Sequence, residues 1–563
     1  MKTRTIIGIG LIVGLSSAVL WGCGESGSAP RPEAEPLPVA KEVGQVPLAS
    51  APADEGEPVE GDYVVIRLRA EPAHLNPITG TDGYAMDIFD NVFESMTDRD
   101  YTTFELRPQI AESWEISDDH LTYTFHLRKD VKFSDGTPVT AHDAKFSFDI
   151  IKDPAVDAAA LRNYYNDVLS CEAVDDYTVV FKCSQPYFKH IDFLSLAILP
   201  KHVYGTGDFN NHPNNRAPIG SGPYVFERWD TGSQVVLTRN ENYWGEKPKL
   251  KKIIYKFITD DNAALQVLER QDVDVMLPTM TPEQWVSCAG RPDFQAKFNL
   301  IKGFAPRYSY IVWNQRRPQF EDKRVRRAMT LLLDRPLILD TIFRGLPRQA
   351  TGIFYDEIEN NPNLKPLPFD PKEAKRLLDE AGWIDTDNDG IRDKNGIPFT
   401  FEMQISSGIR EYEQMATVYQ EELKRAGIQM SIRPLEWATF TDRLHTRNFD
   451  AAPLSWASTT VINNDPYQIW HSSQIEKGSN YGRFVNEEAD KIIEAGRLEF
   501  DRDKRIKRYY RLQEIIHEEQ PYTLLFNGVN LVAVDKRFRN VRLYKRGVVP
   551  REWWVPLELQ KYH

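Results

Sequence analysis

The stretch 107–151, RPQIAESWEISDDHLTYTFHLRKDVKFSDGTPVTAHDAKFSFDII, spells a strand, a turn and a helix in succession. Leu121, Tyr123, Phe125 and Leu127 alternate with polar neighbours, the period of a half-buried strand. After Val131 and Phe133, Ser134-Asp135-Gly136 supplies turn chemistry. Thr140 then stands where a helix N-cap is wanted. Asp143, at the third helical position, can complete a capping box, and Phe148 and Ile151 give the helix an apolar side. Further along, Asp370-Pro371-Lys372-Glu373 opens another helix, with Ala374, Leu377, Leu378 and Ala381 in one stripe and Gly382 at its end. These local patterns predict an α/β chain.

The succession in 107–151 closely resembles the family 5 extracellular solute-binding proteins, which include dipeptide- and oligopeptide-binding components of bacterial ABC transporters. The resemblance continues in order through Leu75-Asn76-Pro77, Val92-Phe93-Glu94-Ser95-Met96, Ile219-Gly220-Ser221-Gly222-Pro223-Tyr224, Asn240-Glu241-Asn242-Tyr243-Trp244 and the stretch 314–328. It implies a two-lobed, periplasmic-binding-protein-like α/β fold with a hinge and an extra subdomain in the first lobe. Mapped by these landmarks, the first lobe is 62–300, with 93–200 as the extra subdomain, the second lobe is 301–523, and 524–563 returns to the first. The two crossings, at 304–311 and 521–526, are then the expected hinges.

The start of the chain points to the cell envelope. Lys2 and Arg4 precede an uncharged, mostly apolar run at 6–21, which suits a signal-peptide core better than a membrane span. Leu20-Trp21-Gly22-Cys23 looks like a lipobox, so 1–22 is read as a signal peptide and Cys23 as the lipidated first residue of a membrane-anchored, extracytoplasmic protein. Residues 23–61, rich in Pro, Ala, Glu and Gly, read as a flexible tether. The folded body is expected to start with a strand in which Val64, Ile66 and Leu68 alternate with Val65, Arg67 and Arg69.

A chain of 563 residues, 41% of them hydrophobic, can build several cores. Its net charge of −13 argues against a nucleic-acid partner. The basic run at 323–327 reads as the solvated face of a helix with Ala328, Leu331 and Leu332 inward. Besides Cys23 there are Cys171, Cys183 and Cys288. Cys171 and Cys183 flank an Asp175-Asp176 turn, which leaves open a disulfide or two buried thiols.

No catalytic set stands out. Gly220-Ser221-Gly222 precedes a strand, so it is no phosphate cradle, and Ser221 lacks the nucleophile-elbow pattern. Asp385, Asp387, Asp389, the carbonyl of Ile391 and Asp393 match the front of a calcium loop, but Gly396 stands where the closing Glu would be. A structural calcium ion and a plain acidic turn both fit, and no other cofactor is expected.

The resemblance places the ligand between the lobes. Ser455-Trp456-Ala457-Ser458-Thr459 matches the segment that, in peptide-binding relatives, runs along an extended ligand and sets a carboxylate on its free amine. Thr459 stands in place of that Asp, so either Asp465 or Asp82 supplies the anchor, or the ligand is not a free-amine peptide. Tyr84, Tyr310 and Asn314 complete the candidates. The implied protein is a monomeric, non-enzymatic receptor that hands a peptide or similarly sized solute to an ABC permease. A sensory or assembly lipoprotein on the same fold, and a receptor for an oligosaccharide or metal chelate, are the alternatives.

Overall fold

A computed structural model describes residues 56–562 except 81–82, 278–279, 356, 458–463, 477 and 546. The signal peptide, Cys23, most of the tether, Asp82, Ser458 and Thr459 lie outside the described residues. The strands used below are Tyr63–Leu68 (β1), Ala111–Ile116 (β2), Thr122–Leu127 (β3), Val168–Asp175 (β4), Thr178–Cys183 (β5), Tyr224–Asp230 (β6), Gln234–Arg239 (β7), Lys252–Phe257 (β8), Val275–Met276 (β9), Phe298–Trp313 (β10), Thr400–Ser406 (β11), Gln429–Leu435 (β12), Ala451–Ala457 (β13) and Tyr522–Asp535 (β14).

Among the described residues one mixed sheet runs in the order β12-β11-β13-β10-β14-β9-β1-β8-β7-β6, with Arg348–Gln349 paired onto β14. Its two ends serve different cores. Val64, Ile66, Leu237 and Ile253 share a core with Phe125, Phe148 and Trp553 at one end, while Phe401, Met403 and Ala451 share one with Trp313, Leu378 and Tyr419 at the other. The antiparallel strands β10 and β14 connect them: Ile301 and Val532 belong to the first core, Ile311 and Leu525 to the second. The expected hinge crossings therefore fall within two long paired strands.

β1 is buried along nearly its whole length because β8 and β9 flank it in parallel and both its faces are covered. Arg67, expected to point outward, is 0% exposed and donates to Asp261 at 2.7 Å. The fold also begins ahead of β1. Gly61 N–H donates to Lys249 O at 3.0 Å and Glu60 pairs with Arg239 at 3.1 Å, so the end of the expected tether is part of the body. The C-terminal return is held by charge. Arg537 pairs with buried Asp62 and, at 2.6 Å, with Asp274, while Lys561 reaches Asp535 at 3.0 Å.

The extra subdomain carries the antiparallel sheet β2-β3-β5-β4. Tyr123, Phe125 and Leu127 are buried, and the following helix Ala141–Lys152 opens with Thr140 N–H donating to the Asp143 carboxylate at 2.9 Å. Its hairpin register sets Cys171 opposite Phe181 and Cys183 opposite Val168, and both cysteines are free and buried. Register, which the sequence does not reveal, removes the disulfide alternative.

Three widely spaced sequence landmarks meet at one place. A Cβ on Gly220 would lie 2.1 Å from Val92 O, and Gly222 N–H donates to that oxygen at 2.8 Å. Glu94, two residues on, accepts from Tyr243 Oη at 2.8 Å and from Trp244 Nε1 at 2.9 Å. Burial raises the Glu94 pKa against these hydrogen bonds. The glycines thus serve close backbone packing, and Ser221 is buried beside them.

The basic run at 323–327 needs one correction. Helix Lys323–Leu331 buries Ala328 and Leu331 as expected, but Arg326 is also buried, donating to Phe320 O at 2.9 Å and Glu519 O at 2.9 Å. Its five donors suit it to cap several carbonyls at once.

Candidate ligand site

The site grows from the end of β13. Pairing with β10 runs from Trp313 opposite Ala451 to Tyr308 opposite Trp456 and Arg307 opposite Ala457. Alternation sends Tyr308, Tyr310 and Trp456 to one face and Arg307, Ser309 and Ser455 to the other. On the first face Trp456 stacks between Tyr310, 6.1 Å centroid to centroid, and Tyr481, 6.0 Å away, and Tyr310 stacks on Tyr522 at 4.0 Å. Tyr355 packs against Tyr308 at 5.7 Å. Burial raises the phenol pKa of Tyr308, Tyr310 and Tyr522, so this wall is neutral. The Tyr308 hydroxyl has no hydrogen-bond partner among the described residues.

Phe104 enters this aromatic cluster from the tip of the hairpin formed by Thr97–Arg99 and Leu106–Pro108. It is 2% exposed and has φ +61°, a left-handed backbone unusual for an aromatic residue. A cavity of about 1190 Å³, lined by Asp98 and Arg107 of that hairpin and by Trp244, Arg542, Tyr544 and Arg551 among others, opens on the first lobe. Charges of both signs meet there, Asp98 with Arg107 at 2.6 Å for example. At the aromatic seam the last described residues of β13, the stacked rings and the chain crossings coincide.

The opposite face is polar. Ser309 Oγ and Ser455 Oγ are 2.7 Å apart, and Tyr412 Oη lies 3.0 Å from Ser455 Oγ.

Asp465 lies where the extra subdomain meets the later part of the chain. Tyr187 Oη donates to its Oδ2 at 2.6 Å, and Arg497 Nε lies 3.1 Å from the same oxygen. The Arg497 guanidinium also sits over the rings of Tyr187, 4.3 Å away, and Tyr467, 4.4 Å away. Tyr164 Oη donates to Gln468 Oε1 at 2.9 Å in the same contact zone.

The remaining candidates are dispersed. Tyr310 stands inside the aromatic wall, and Ala457 accepts from Tyr355 Oη at 3.4 Å. Asn314 is at the far end of the β10–β13 pairing, where its side-chain amide donates to Phe449 O at 2.7 Å and Arg447 O at 3.2 Å. That places it in the scaffold away from the seam. Tyr84, on helix Gly83–Phe89, packs against the first-lobe core. In the acidic turn, ligand oxygens of Asp385, Asp387 and Asp393 lie within 4.8 Å of one another. Asp389 accepts from its own loop at Ile391 N–H, 2.7 Å away, and Asp393 accepts from Thr386 Oγ1 at 2.7 Å. Gly396, where an EF-hand has its Glu, turns the hairpin of Asp393–Lys394 and Ile397–Pro398 with φ +74°.

Sequence reasoning did not select Phe104, Tyr187, Arg307, Tyr355, Tyr481, Arg497 or Tyr522. The alternation of Tyr308 and Tyr310 beside the matched Trp456 was a legible signal for part of the wall. The pairing of Tyr187 with Asp465 spans 278 residues and leaves no local trace.

The fold and seam define a two-lobed solute-binding protein. Residues 105–478 match the model of the bacterial extracellular solute-binding proteins, family 5, middle region. The oligopeptide-binding protein AppA of Bacillus subtilis (strain 168) is 33% identical over 530 residues, with 90% of this chain and 94% of AppA covered. The dipeptide-binding protein of Escherichia coli (strain K12) is 24% identical over 512 residues, covering 85% of this chain and 92% of its own. The structure of Bacillus subtilis AppA with a nonapeptide superposes with a TM-score of 0.77 at 31% identity, covering 89% of this chain and 100% of that one. NikA from Brucella suis with Fe(III)-EDTA, at 24% identity, shares the fold with a TM-score of 0.78, covering 88% of this chain and 100% of NikA. The chain belongs to family 5 of the bacterial extracellular solute-binding proteins.

Proposed function

We propose that this protein is the receptor of an ABC importer, capturing an extended peptide or similarly sized solute between its lobes and presenting the closed form to a membrane permease. The observation that carries the reading is the end of β13 beside the aromatic wall of Tyr308, Tyr310 and Trp456. Among the described residues β13 pairs with β11 only at Ala451, so its later part leaves an edge of main-chain groups for an extended ligand, and stacked rings take side chains of many shapes. The similarity to AppA, whose structure holds a nonapeptide, supports a peptide of that order of length. Cys23, in its lipobox, would hold the receptor at the membrane without a span. Binding needs concavity, anchors and a hinge, and no catalytic step is assigned. A calcium ion at Asp385, Asp387 and Asp393 would be structural and separate from this site.

Calorimetry with synthetic peptides of two to nine residues tests the reading. Saturable binding that is weakened about tenfold or more by Trp456→Ala is expected, since a stacked aromatic anchor is typically worth over 1 kcal/mol. Absence of binding across the whole series would overturn it.

A further inference from the structure

The chain enters its folded body through the cavity on the first lobe. Gly56, Glu57 and Pro58, the first residues described, all lie on the wall of this space of about 1190 Å³. The Gly56 backbone rests against Trp554, since a Cβ there would lie 3.7 Å from Trp554 Cη2. Its φ of +80° turns the chain in a conformation that suits glycine. From there the course is fixed: Glu60 pairs with Arg239 at 3.1 Å and Gly61 N–H donates to Lys249 O at 3.0 Å. The residues immediately ahead of Gly56 therefore start at the cavity wall.

Two properties of the lining point to an occupant. The first is its rings, Tyr243, Trp244, Tyr544 and Trp554. Glu94 holds the polar tips of Tyr243 and Trp244, so these two stand as fixed walls. Aromatic-walled grooves take extended, proline-bearing segments, whose backbone needs little further ordering. The second property is charge. Arg107 and Arg551 share Asp98, at 2.6 and 3.9 Å, and Lys247 faces Glu241 at 3.8 Å. Lys249 and Arg542, both half-buried, form no ion pair among the described residues, and Arg542 Nε has no hydrogen-bond partner there. The lining acids without a cation, Glu57 and Glu246, are exposed to solvent. A half-buried cation is stabilised when an anion joins it.

The sequence just ahead of Gly56 carries the matching features. Residues 46–55 read VPLASAPADE, two prolines among small apolar residues and then two acids at the point of entry. We propose that residues 46–55 dock along this cavity as an extended strap, with Pro47, Leu48 and Pro52 against the rings and Asp54 and Glu55 paired with Lys249 and Arg542. The end of the connecting segment is then part of the receptor body. Where Cys23 is lipidated, as proposed above, docking shortens the greatest reach from membrane to body from about 110 Å to about 80 Å. The docking itself is independent of the lipid and of the solute that the seam takes.

Spin labelling of the full mature chain carrying Cys23→Ser tests the strap, since Cys171, Cys183 and Cys288 are buried. Nitroxides are placed at Ser50→Cys within the strap, at Ala34→Cys upstream of it, and at Lys247→Cys on the cavity rim. The label at position 50 should be immobilised and the one at 34 free, and the pair at 50 and 247 should give one narrow distance within a single chain. The double change Asp54→Asn with Glu55→Gln lies outside the folded core, and it should lower the ratio of docked to free strap by about tenfold or more. Lys249→Gln should act in the same direction, with thermal melting to show that it folds. Equal mobility at positions 34 and 50, or a broad spread of distances, overturns the strap. A narrow distance that arises only between separately labelled chains assigns the cavity to a second copy and overturns it too. A distance unchanged by the loss of both acids overturns the pairing with Lys249 and Arg542 on which the proposal stands.

Discussion

Tyr187 donates its hydroxyl hydrogen to Asp465 at 2.6 Å, and Arg497 closes on the same carboxylate at 3.1 Å. Asp465 therefore already has a cation and a phenol, one from each side of the contact between the extra subdomain and the later chain. A carboxylate so engaged has little left for a ligand ammonium, and the resemblance implies that Thr459 stands in place of the relatives' amine-binding Asp. Ordinary free-amine di- and tripeptides are expected to bind weakly, and acetylating their amino group should change affinity by less than about threefold. A lost charge-assisted hydrogen bond would instead cost about 1.5–3 kcal/mol, tenfold or more. Calorimetry with matched free and acetylated peptides checks this. Submicromolar binding of the free forms with a large acetylation penalty, abolished by Asp465→Asn, would show that the carboxylate is released from its clasp to the ligand.

The same clasp should bias the lobes toward closure. Tyr187→Phe removes one hydrogen bond to a charged group and keeps the ring beneath Arg497, so the closed form should lose about 1–3 kcal/mol relative to the open one. Small-angle scattering without ligand is expected to give a larger radius of gyration for the variant than for wild type, with the difference abolished by saturating ligand. Identical scattering would place the clasp outside the closing motion.

Buried His190 sets a pH dependence. It is 0% exposed, packs edge-on to Tyr123 and Tyr187, and neither ring nitrogen finds a partner among the described residues. Desolvation pulls its pKa down to about 4, with Asp167 opposing and Arg497 assisting. The unfolded chain protonates this imidazole near pH 6.5 and the folded chain only near pH 4, so the unfolded state binds more protons between those values. Stability is full above about pH 6.5 and falls by about 2–4 kcal/mol as the pH drops to about 4. Urea denaturation from pH 4 to 7 should show a shallower acid-side slope for His190→Phe than for wild type, since that ring cannot take a proton.

Cys23→Ser tests attachment. If the lipobox is processed as its pattern implies, the variant should be exported and recovered outside the membrane fraction, while wild type stays with the membrane. Unchanged fractionation would remove the lipid anchor from the proposal.

The α/β architecture was legible because it rests on local periodicity. The strand at Thr122–Leu127 and the capped helices after Thr140 and Asp370 are set by neighbours within a few residues. Trp456 and Tyr310 were legible through resemblance, and the structure brings them together. What was not legible depends on register and on long-range pairing. Nothing near Cys183 in sequence says that Val168 will face it, nothing near Arg67 says that both faces of β1 will be covered, and nothing near Tyr187 names Asp465. Nothing near Arg307 in sequence says that its side chain will lie across the distant Gly528.

Phe104 offers a test in which backbone and side chain pull in opposite directions. Its left-handed φ of +61° costs an aromatic residue about 1–2 kcal/mol, and its ring is held by the wall that includes Tyr308 and Tyr355. Phe104→Ala should lose about 3–5 kcal/mol of stability through the vacated ring volume, with the backbone strain retained. Phe104→Gly loses the same ring but relieves the strain, so it should be more stable than Phe104→Ala by about 1 kcal/mol. At an ordinary backbone position glycine would be the worse of the two, which makes the sign of the difference diagnostic. Chemical denaturation of the three proteins measures it. A glycine variant less stable than the alanine variant would mean that the loop relaxes out of the left-handed conformation once the ring is gone. If the vacated volume opens onto the seam, Phe104→Gly should also bind nonapeptides bearing a bulky aromatic residue more tightly than their alanine-substituted matches, by a larger ratio than wild type does. An unchanged ratio would mean that Phe104 only completes the core and does not shape the ligand site.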